Sequence, residues 1–596
     1  MELLNLDGVV EKGVFEIPSY QRGYAWQIRQ LKDFWNDLEH VSKLGDKFHY
    51  MHSLTLRELE NEFEDSAFEI IDGQQRLATS LILLGLLAKT TQNKDPKYSL
   101  INLEPVLSYK YYGLSEAFRA IMEEEKDLER FQTSFYAKNL IEAYAFFKEK
   151  ISNTPVGTLE KMFDALIKKM LFSVVELNDN RIDPFSSFET INNRGKDLST
   201  LELLKNRLHF VVHKICDEED LENLQQEIND TYTRIYYDLR RFEDDHLESF
   251  LKHFVAYYYG EKRDFKERLL NTAFDAHKKY DDLYDEYEKI NDLLLHLSYS
   301  SKVWYFLHTP DDEELGIEIT SKMRGLLDKR WRLNALSENA FLPLLLSLLT
   351  IQLAVRSGSE RHYTTKELEG LLEYLERFGF LIYGVAGKNT AKNEWIESAF
   401  RAFKAYKLWG DKITIEDLPT LEKNFFKGEH SGLELLEESI HSKKNTEKWY
   451  RWGKALNYLL YEYELYHNPE TTLNFDGSIE SIEHILPQKP DQGYSAKEKS
   501  WAKNPHIVHA LGNLLLISKN ANSSLSNKPF DEKRKEYLKG SYSEKEVAKN
   551  ASFGITEIQK RSEKLLDFLI ARYRIAELVG ESAIKAFKNA LLKDIR

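Results

Sequence analysis

The stretch Ser481-Ile482-Glu483-His484-Ile485-Leu486-Pro487-Gln488, read together with Gly512-Asn513 further along, decides how the C-terminal part of this chain folds. Ile479, Ile482 and Ile485 make the first stretch β-branched and Pro487 stops it, which predicts a short strand ending in a turn that presents one imidazole. The irregular apolar spacing leaves a helical turn open as well. Leu511 to Ile517 predicts a second strand, after which Asn520, Asn522 and Asn527 fall in a polar loop leading into Lys528 to Lys539. An imidazole on one strand, an acid beside it and amides after the next strand are the parts of a one-metal phosphodiesterase. Water attacking a phosphodiester must give up a proton, and His is the side chain whose pKa lies nearest the working pH. The leaving oxygen and the phosphate charge need a hard cation, Mg²⁺ or Mn²⁺, which is held by one or two protein oxygens with waters and phosphate completing its shell. Glu483 and Asn522 are the candidate oxygens. For an isolated Glu-His-x-x-Pro match, a strand end with a surface His is the plainer reading, and the ordered Asn segment weighs against it.

Ile482 to Gln488, Leu511 to Ile517, and Asn522 to Phe530 with Lys533 resemble the HNH (His-Me finger) domain of GmrSD-type modification-dependent restriction enzymes. The resemblance implies that His484 is the general base, that Glu483 and Asn522 bind the metal, and that Asn513 orients the His. Glu stands where many HNH proteins have Asp, and Asn520 competes with Asn522 for the ligand role. No zinc-knuckle CxxC pairs accompany the motif, because the chain has only Cys216.

At 596 residues the chain exceeds what one hydrophobic core usually supports, so two to four domains are expected. One Cys excludes a disulfide framework and a multi-Cys zinc site, consistent with a reducing, cytoplasmic setting. The start, Met1-Glu-Leu-Leu-Asn-Leu-Asp, lacks a basic region of the kind that opens a signal peptide. Phe341 to Val355, the longest apolar stretch, is short and interrupted, which predicts a buried helix and no membrane partner. A net charge of −15 argues against non-specific adhesion to nucleic acid. The charge is uneven, however: residues 481–596 hold 21 Lys or Arg against 14 Asp or Glu, net +7, leaving −22 for residues 1–480.

Towards the N-terminus, Val14 to Trp26 reads as a strand-like lead and a Pro-initiated turn that displays Tyr20, Gln21, Arg22, Tyr24 and Trp26. Aromatic rings interleaved with an Arg and an amide suit base stacking and phosphate contact. Docking of the next helix, Gln30 to Lys43, would use the same rings. His49 to Leu56 and Ala67 to Ile71 predict half-buried strands, and the second runs into Asp72-Gly73-Gln74-Gln75-Arg76 before an apolar helix, Leu77 to Lys89. A strand, a Gly turn and a helix start gather backbone N–H groups at one point, a candidate anion site. Arg in a first helical turn needs a negative partner, either a ligand phosphate or a buried carboxylate. No GxxxxGK[ST] stands anywhere in the chain, so a Walker-type site is not on offer. Leu171 to Leu177 predicts a further strand. Asn193-Arg194-Gly195-Lys196 reads as an interhelix loop suited to phosphate or to a plain Gly C-cap, followed by an N-cap at Ser199 or Thr200.

Ile17 to Trp26, Ile71 to Arg76 and Phe188 to Ser199 together resemble the ParB-like domain that accompanies this HNH domain in GmrSD-type and related phage-defence proteins. The resemblance implies nucleoside triphosphate binding by Asp72, Gly73, Gln74, Gln75 and Arg76. It implies DNA sensing by Tyr20, Gln21, Arg22 and Trp26, with Asn193 and Arg194 assigned to the same role. His52 stands near a position where the family often holds Gly. Residues 211–450 carry strongly helical patterns, with Tyr and Phe at core spacing. The expected fold is α+β, predominantly α: a ParB-like α/β domain over residues 1–210, a helical middle over 211–444, and an HNH-like ββα-metal nuclease domain over 445–596. The expected function is a nucleotide-responsive endonuclease or nickase acting on foreign, modified DNA, with NTP hydrolysis and homo-oligomers as open extensions. Two other readings keep the same residues: a nucleotide-switched DNA-binding regulator that does not cut, and an RNA-cutting toxin.

Overall fold

The computed structural model describes residues 2–595 except 60–65, 94, 111, 178–197, 217, 241, 243, 276–277, 279–282, 310–314, 328–338, 356–361, 474–479 and 491–492. The chain packs into two compact units, Met1–Thr309 and Pro310–Arg596. It is predominantly helical with a smaller β component, the α+β class expected. Among the described residues no helix is long and apolar enough to cross a membrane.

In the first unit six strands form one mixed sheet: β1 (Glu2–Asn5), β2 (Val14–Ile17), β3 (His49–Leu59), β4 (Ala67–Asp72), β5 (Leu107–Tyr109) and β6 (Met170–Glu176), in the order β1-β6-β3-β4-β2-β5. The two edge strands, β1 and β5, have only four and three residues, which limits the backbone left open to foreign pairing. β3 runs antiparallel to β4 and parallel to β6, and β2 lies parallel to both β4 and β5. The register of β3 against β6 shifts between Tyr50 and Ser53, and His52 in that interval takes φ 65°. A left-handed residue is easiest for Gly, so His52 meets this backbone at some steric cost.

Helix α1 (Ile28–Ser42) follows the Tyr20–Trp26 segment and buries Leu31, Phe34, Trp35, Leu38 and Val41 along one stripe. Helix α2 (Gln74–Thr90) starts directly after β4 and is buried on nearly every side, which is why its Leu-Ile-Leu-Leu run shows little amphipathic period. Gly73 caps it with φ 103°, and a Cβ there would lie 2.9 Å from Leu54 and 3.1 Å from the Ser53 carbonyl. Helix α3 (Thr200–Ile215) opens with the expected cap: Ser199 Oγ accepts from the Glu202 N–H, and the Glu202 carboxylate accepts from the Ser199 N–H.

In the second unit the apolar stretch forms the buried helix α4 (Leu342–Ala354), as its sequence predicts. The aromatic run Lys448–Trp452 makes a 3₁₀ turn, and Gly453 at φ 59° separates it from α5 (Lys454–His467). Two strands, β7 (Glu480–His484) and β8 (Leu514–Ser518), pair antiparallel, and helix α6 (Lys519–Leu525) follows β8 without a gap. Two expectations need correcting here. Leu511–Asn513 is a 3₁₀ turn and not the first part of the strand, and Asn520 and Asn522 lie on a helix and not in a loop. The cause of the second is Ser518, whose Oγ accepts from the Ala521 N–H and nucleates the turn that the Asn residues alone would disfavour.

Candidate active site

Glu483 faces Leu515 across the β7–β8 pair and His484 faces Leu514. Neighbours on a strand project to opposite faces, so the acid and the imidazole serve different sides of the sheet. Glu483 is 4% exposed and points inward. Helix α7 (Phe530–Tyr537) supplies its partners: Glu483 Oε1 accepts from Lys533 Nζ at 2.5 Å and from the Tyr537 hydroxyl at 3.1 Å. Lys533, fully buried, also donates to the carbonyls of His484 at 2.9 Å and Ile485 at 3.3 Å, so its hydrogens fasten the end of β7. Burial pushes the Glu483 carboxyl up and the Lys533 ammonium down, and each is opposed by the attraction of the other.

The His484 imidazole is 7% exposed. Its Nε2 lies 3.0 Å from Nδ1 of His509, and its Nδ1 lies 3.4 Å from the Gln488 side-chain nitrogen. The Tyr450 ring packs on both histidines, with centroids 4.9 Å from His484 and 5.8 Å from His509. Burial, followed by the charges of His509 and Lys533, lowers the His484 pKa to about 3. The imidazole is therefore neutral at working pH, the state that can accept a proton, but burial in this form also makes it a weaker base than a free imidazole.

Asn513 has no exposed surface and acts on the backbone around the histidines. Its Oδ1 accepts from the Leu486 N–H at 2.7 Å, and its amide hydrogens go to the carbonyls of Leu486 at 2.9 Å and Val508 at 2.7 Å. The partners of the imidazole itself are His509 and Gln488. Helix α8 (Ile555–Arg572) clamps this turn from behind: Ser562 Oγ accepts from the Gly512 N–H at 2.8 Å, and Arg561 Nη1 donates to the carbonyls of Gly512 at 2.9 Å and Leu514 at 2.7 Å. A Cβ at Gly512 would stand 2.0 Å from the Ile558 carbonyl, so no other residue fits.

Asn522 is half-buried on the α6 face that meets β7, while Asn520 is exposed. The Asn522 amide nitrogen donates to Ser481 Oγ at 2.7 Å and to the Ile482 carbonyl at 3.3 Å. A carbonyl can only accept, so this bond fixes which end of the amide is nitrogen and turns Oδ1 away from the strand. Among the described residues no group of three or more His, Cys, Asp or Glu is arranged to hold a metal ion.

The N-terminal motifs form a second cluster. Tyr20, Gln21 and Arg22 are 6%, 4% and 6% exposed, and Trp26 is half-buried with its ring 6.0 Å from Phe34 of α1. Gln21 donates to the Ile70 and Ile71 carbonyls, the latter at 3.2 Å. Gln74 donates to the Arg22 carbonyl at 2.9 Å, and Gln75 brackets the turn by donating to the Gly23 carbonyl at 2.9 Å and accepting from the Ala25 N–H at 2.8 Å. The Tyr20–Trp26 segment and the Asp72–Arg76 segment are thus one interlocked unit rather than two. Arg76 finds its negative partner inside the protein, Asp72 Oδ2 at 3.0 Å, and also donates to the Ser53 carbonyl at 2.7 Å. Asn193 and Arg194 lie outside the described residues.

Sequence reasoning missed His509, Tyr450, Tyr537 and Arg561. For His509 the signal is faint, a lone imidazole in the apolar run from Ile507 to Ile517. The other three act through positions far along the chain that no local spacing rule relates to His484.

Two protein-family models match the sequence. One, described as GmrSD restriction endonuclease, N-terminal domain, covers residues 4–209, and the other, described as GmrSD restriction endonucleases, C-terminal domain, covers residues 436–568. No curated protein matches the chain.

Proposed function

Because the chain belongs to the GmrSD restriction endonuclease family, we propose that it is a DNA endonuclease of phage defence whose cutting centre is His484, at the end of β7. The observation that carries the reading is the nearly buried imidazole held at a strand end beside a β–β–helix unit. Asn513 and Lys533 fix the backbone on either side of it. In this reading His484 takes the proton of the attacking water, and the positive excess of residues 481–596 draws in the phosphate backbone.

Of the two candidate ligands only Asn522 fits a sparsely ligated Mg²⁺ or Mn²⁺. Asn522 Oδ1 is left open by the bonds its nitrogen makes, whereas Glu483 is buried, turned to the other side of the sheet from His484 and held by Lys533 and Tyr537, a pairing it would have to give up to reach an ion. When bound, such an ion supplies positive charge to the phosphate and the leaving oxygen. Exposed Asn520 has no comparable anchor on β7, which supports Asn522 as the ligand. For the N-terminal domain we propose nucleoside triphosphate binding at Asp72–Arg76, with Arg76 shared between Asp72 and the nucleotide. DNA sensing by the Tyr20–Trp26 segment then acts through its hydrogen bonds with Gln74 and Gln75, because Tyr20, Gln21 and Arg22 are buried.

The deciding experiment digests modified and unmodified phage genomic DNA, and RNA in parallel, with Mg²⁺ or Mn²⁺ and with or without each NTP. Cleavage of modified DNA that responds to NTP is expected. Binding without any cleavage would favour the regulator reading, and cleavage of RNA alone the toxin reading.

A further inference from the structure

The contact between His484 and His509 joins two nearly buried imidazoles. Two imidazoles bonded to each other inside a protein are a specific arrangement, because one nitrogen must donate and the other accept. The Nε2 to Nδ1 separation is 3.0 Å, and the rings stand at 78°, so His509 directs its Nδ1 at the edge of the partner ring. On the far side of His484 the Gln488 side-chain nitrogen, a donor, approaches Nδ1 at 3.4 Å. A donor facing Nδ1 favours that nitrogen as the acceptor and the proton on Nε2, which then donates to His509.

The surrounding residues hold this pair in place. A single amide, that of Asn513, binds Leu486 two residues after His484 and Val508 one residue before His509, so one side chain sets the spacing of both histidine segments. The Tyr450 ring packs against both imidazoles. His509 is 8% exposed, and its backbone N–H is tied to the Pro505 carbonyl.

We propose that His509 is a positioning residue for the nuclease reaction: it accepts the Nε2 proton of His484, fixes the ring, and leaves Nδ1 as the nitrogen that takes the proton from the attacking water. The inference rests on His484 being the base. In the step, water transfers one proton to His484 Nδ1 while its oxygen bonds to phosphorus, and the bond from phosphorus to the leaving oxygen breaks. The Nε2 proton stays on His484, and the leaving oxygen takes its proton from solvent. A neutral acceptor in the place where other histidine bases carry a carboxylate stabilises the imidazolium by hydrogen bonding alone.

The test uses the full chain, with modified phage genomic DNA and Mn²⁺ as probes. His509→Leu is expected to lower kcat by about 10- to 100-fold with KM little changed, the usual effect of losing the residue that orients a histidine. His509→Asn, whose Oδ1 falls where His Nδ1 lies, should recover most of that loss. If His484→Ala abolishes cutting while His509→Leu cuts like the wild type, the proposal is overturned and the nuclease reading stands. If His484→Ala cuts normally, both fall together. Should His509→Leu fail to fold, nitrogen NMR of the ¹⁵N-histidine wild-type protein decides, with His484→Ala for assignment: His484 protonated on Nε2 supports the proposal, and protonation on Nδ1 refutes it.

Discussion

The cluster around Gln21, Gln74, Gln75 and Arg76 and the cluster around His484 are both rich in buried polar groups, yet they spend them differently. In the first, each glutamine binds main-chain groups of the other motif, and Arg76 is paired with Asp72. In the second, the polar residues that bind backbone, Asn513, Lys533 and Arg561, surround an imidazole whose Nδ1 has only a 3.4 Å contact with a side chain. The difference teaches that buried polarity alone does not mark chemistry. What marks it is a titratable group held in one protonation state with one atom left over. The first cluster positions a segment, and the second positions an atom.

The sharpest way to break this contrast is His484→Ala, which should lower DNA cleavage by roughly 10²- to 10⁴-fold, the usual contribution of a positioned base. Thermal melting of the mutant should change little by comparison. Wild-type cutting would reduce the second cluster to the same structural status as the first.

Lys533→Met comes next. It strands the Glu483 carboxylate without its ammonium, and breaking a buried pair in this way costs about 3–5 kcal/mol. Urea denaturation followed by tryptophan fluorescence should show the loss, and Glu483→Gln added to Lys533→Met should return part of it. A mutant as stable as the wild type would mean that Glu483 is satisfied without Lys533.

Gln75→Ala tests the first cluster. It removes the hydrogen bonds that Gln75 makes to the Gly23 carbonyl and the Ala25 N–H, at a cost of about 1–3 kcal/mol. Protease sensitivity near Tyr20–Trp26 should rise with it. Arg76→Ala should weaken NTP binding roughly tenfold if the guanidinium contacts phosphate as well as Asp72. Unchanged affinity in a calorimetric titration would leave Arg76 a purely structural partner of Asp72.

The smallest effect concerns pH. Burial lowers His484 from 6.5 to about 3, and in the first unit it lowers His209 likewise to about 3. Both are neutral in the folded protein through the physiological range, so kcat/KM should not decline from pH 8 to pH 6 through protonation of His484 in the free enzyme. Stability moves differently. Below pH 6.5 the unfolded chain binds protons that the folded chain refuses, so the contribution of these histidines is intact above pH 6.5 and is lost as pH falls towards 3. A drop in kcat/KM centred near pH 6.5 would show that His484 is more open to water than its burial implies.

Much of this protein was readable before folding. The strand ending at His484, the strand running into Asp72 and Gly73, the Ser199–Glu202 cap and the apolar helix near Leu342 each depend on residues within a few positions of one another, where turn chemistry and side-chain period act directly. The helix carrying Asn522 was misread as a loop because Asn is a weak helix former, and Ser518 capping it outweighs that local preference.

The tertiary structure alone decided the partnerships: His509 on His484, Lys533 and Tyr537 on Glu483, Arg561 and Ser562 around Gly512, and the glutamines of one motif on the backbone of the other. These join residues 25 to 54 positions apart. A side chain chooses such a partner by burial and by the geometry of the space left to it, and neither exists until the elements have packed.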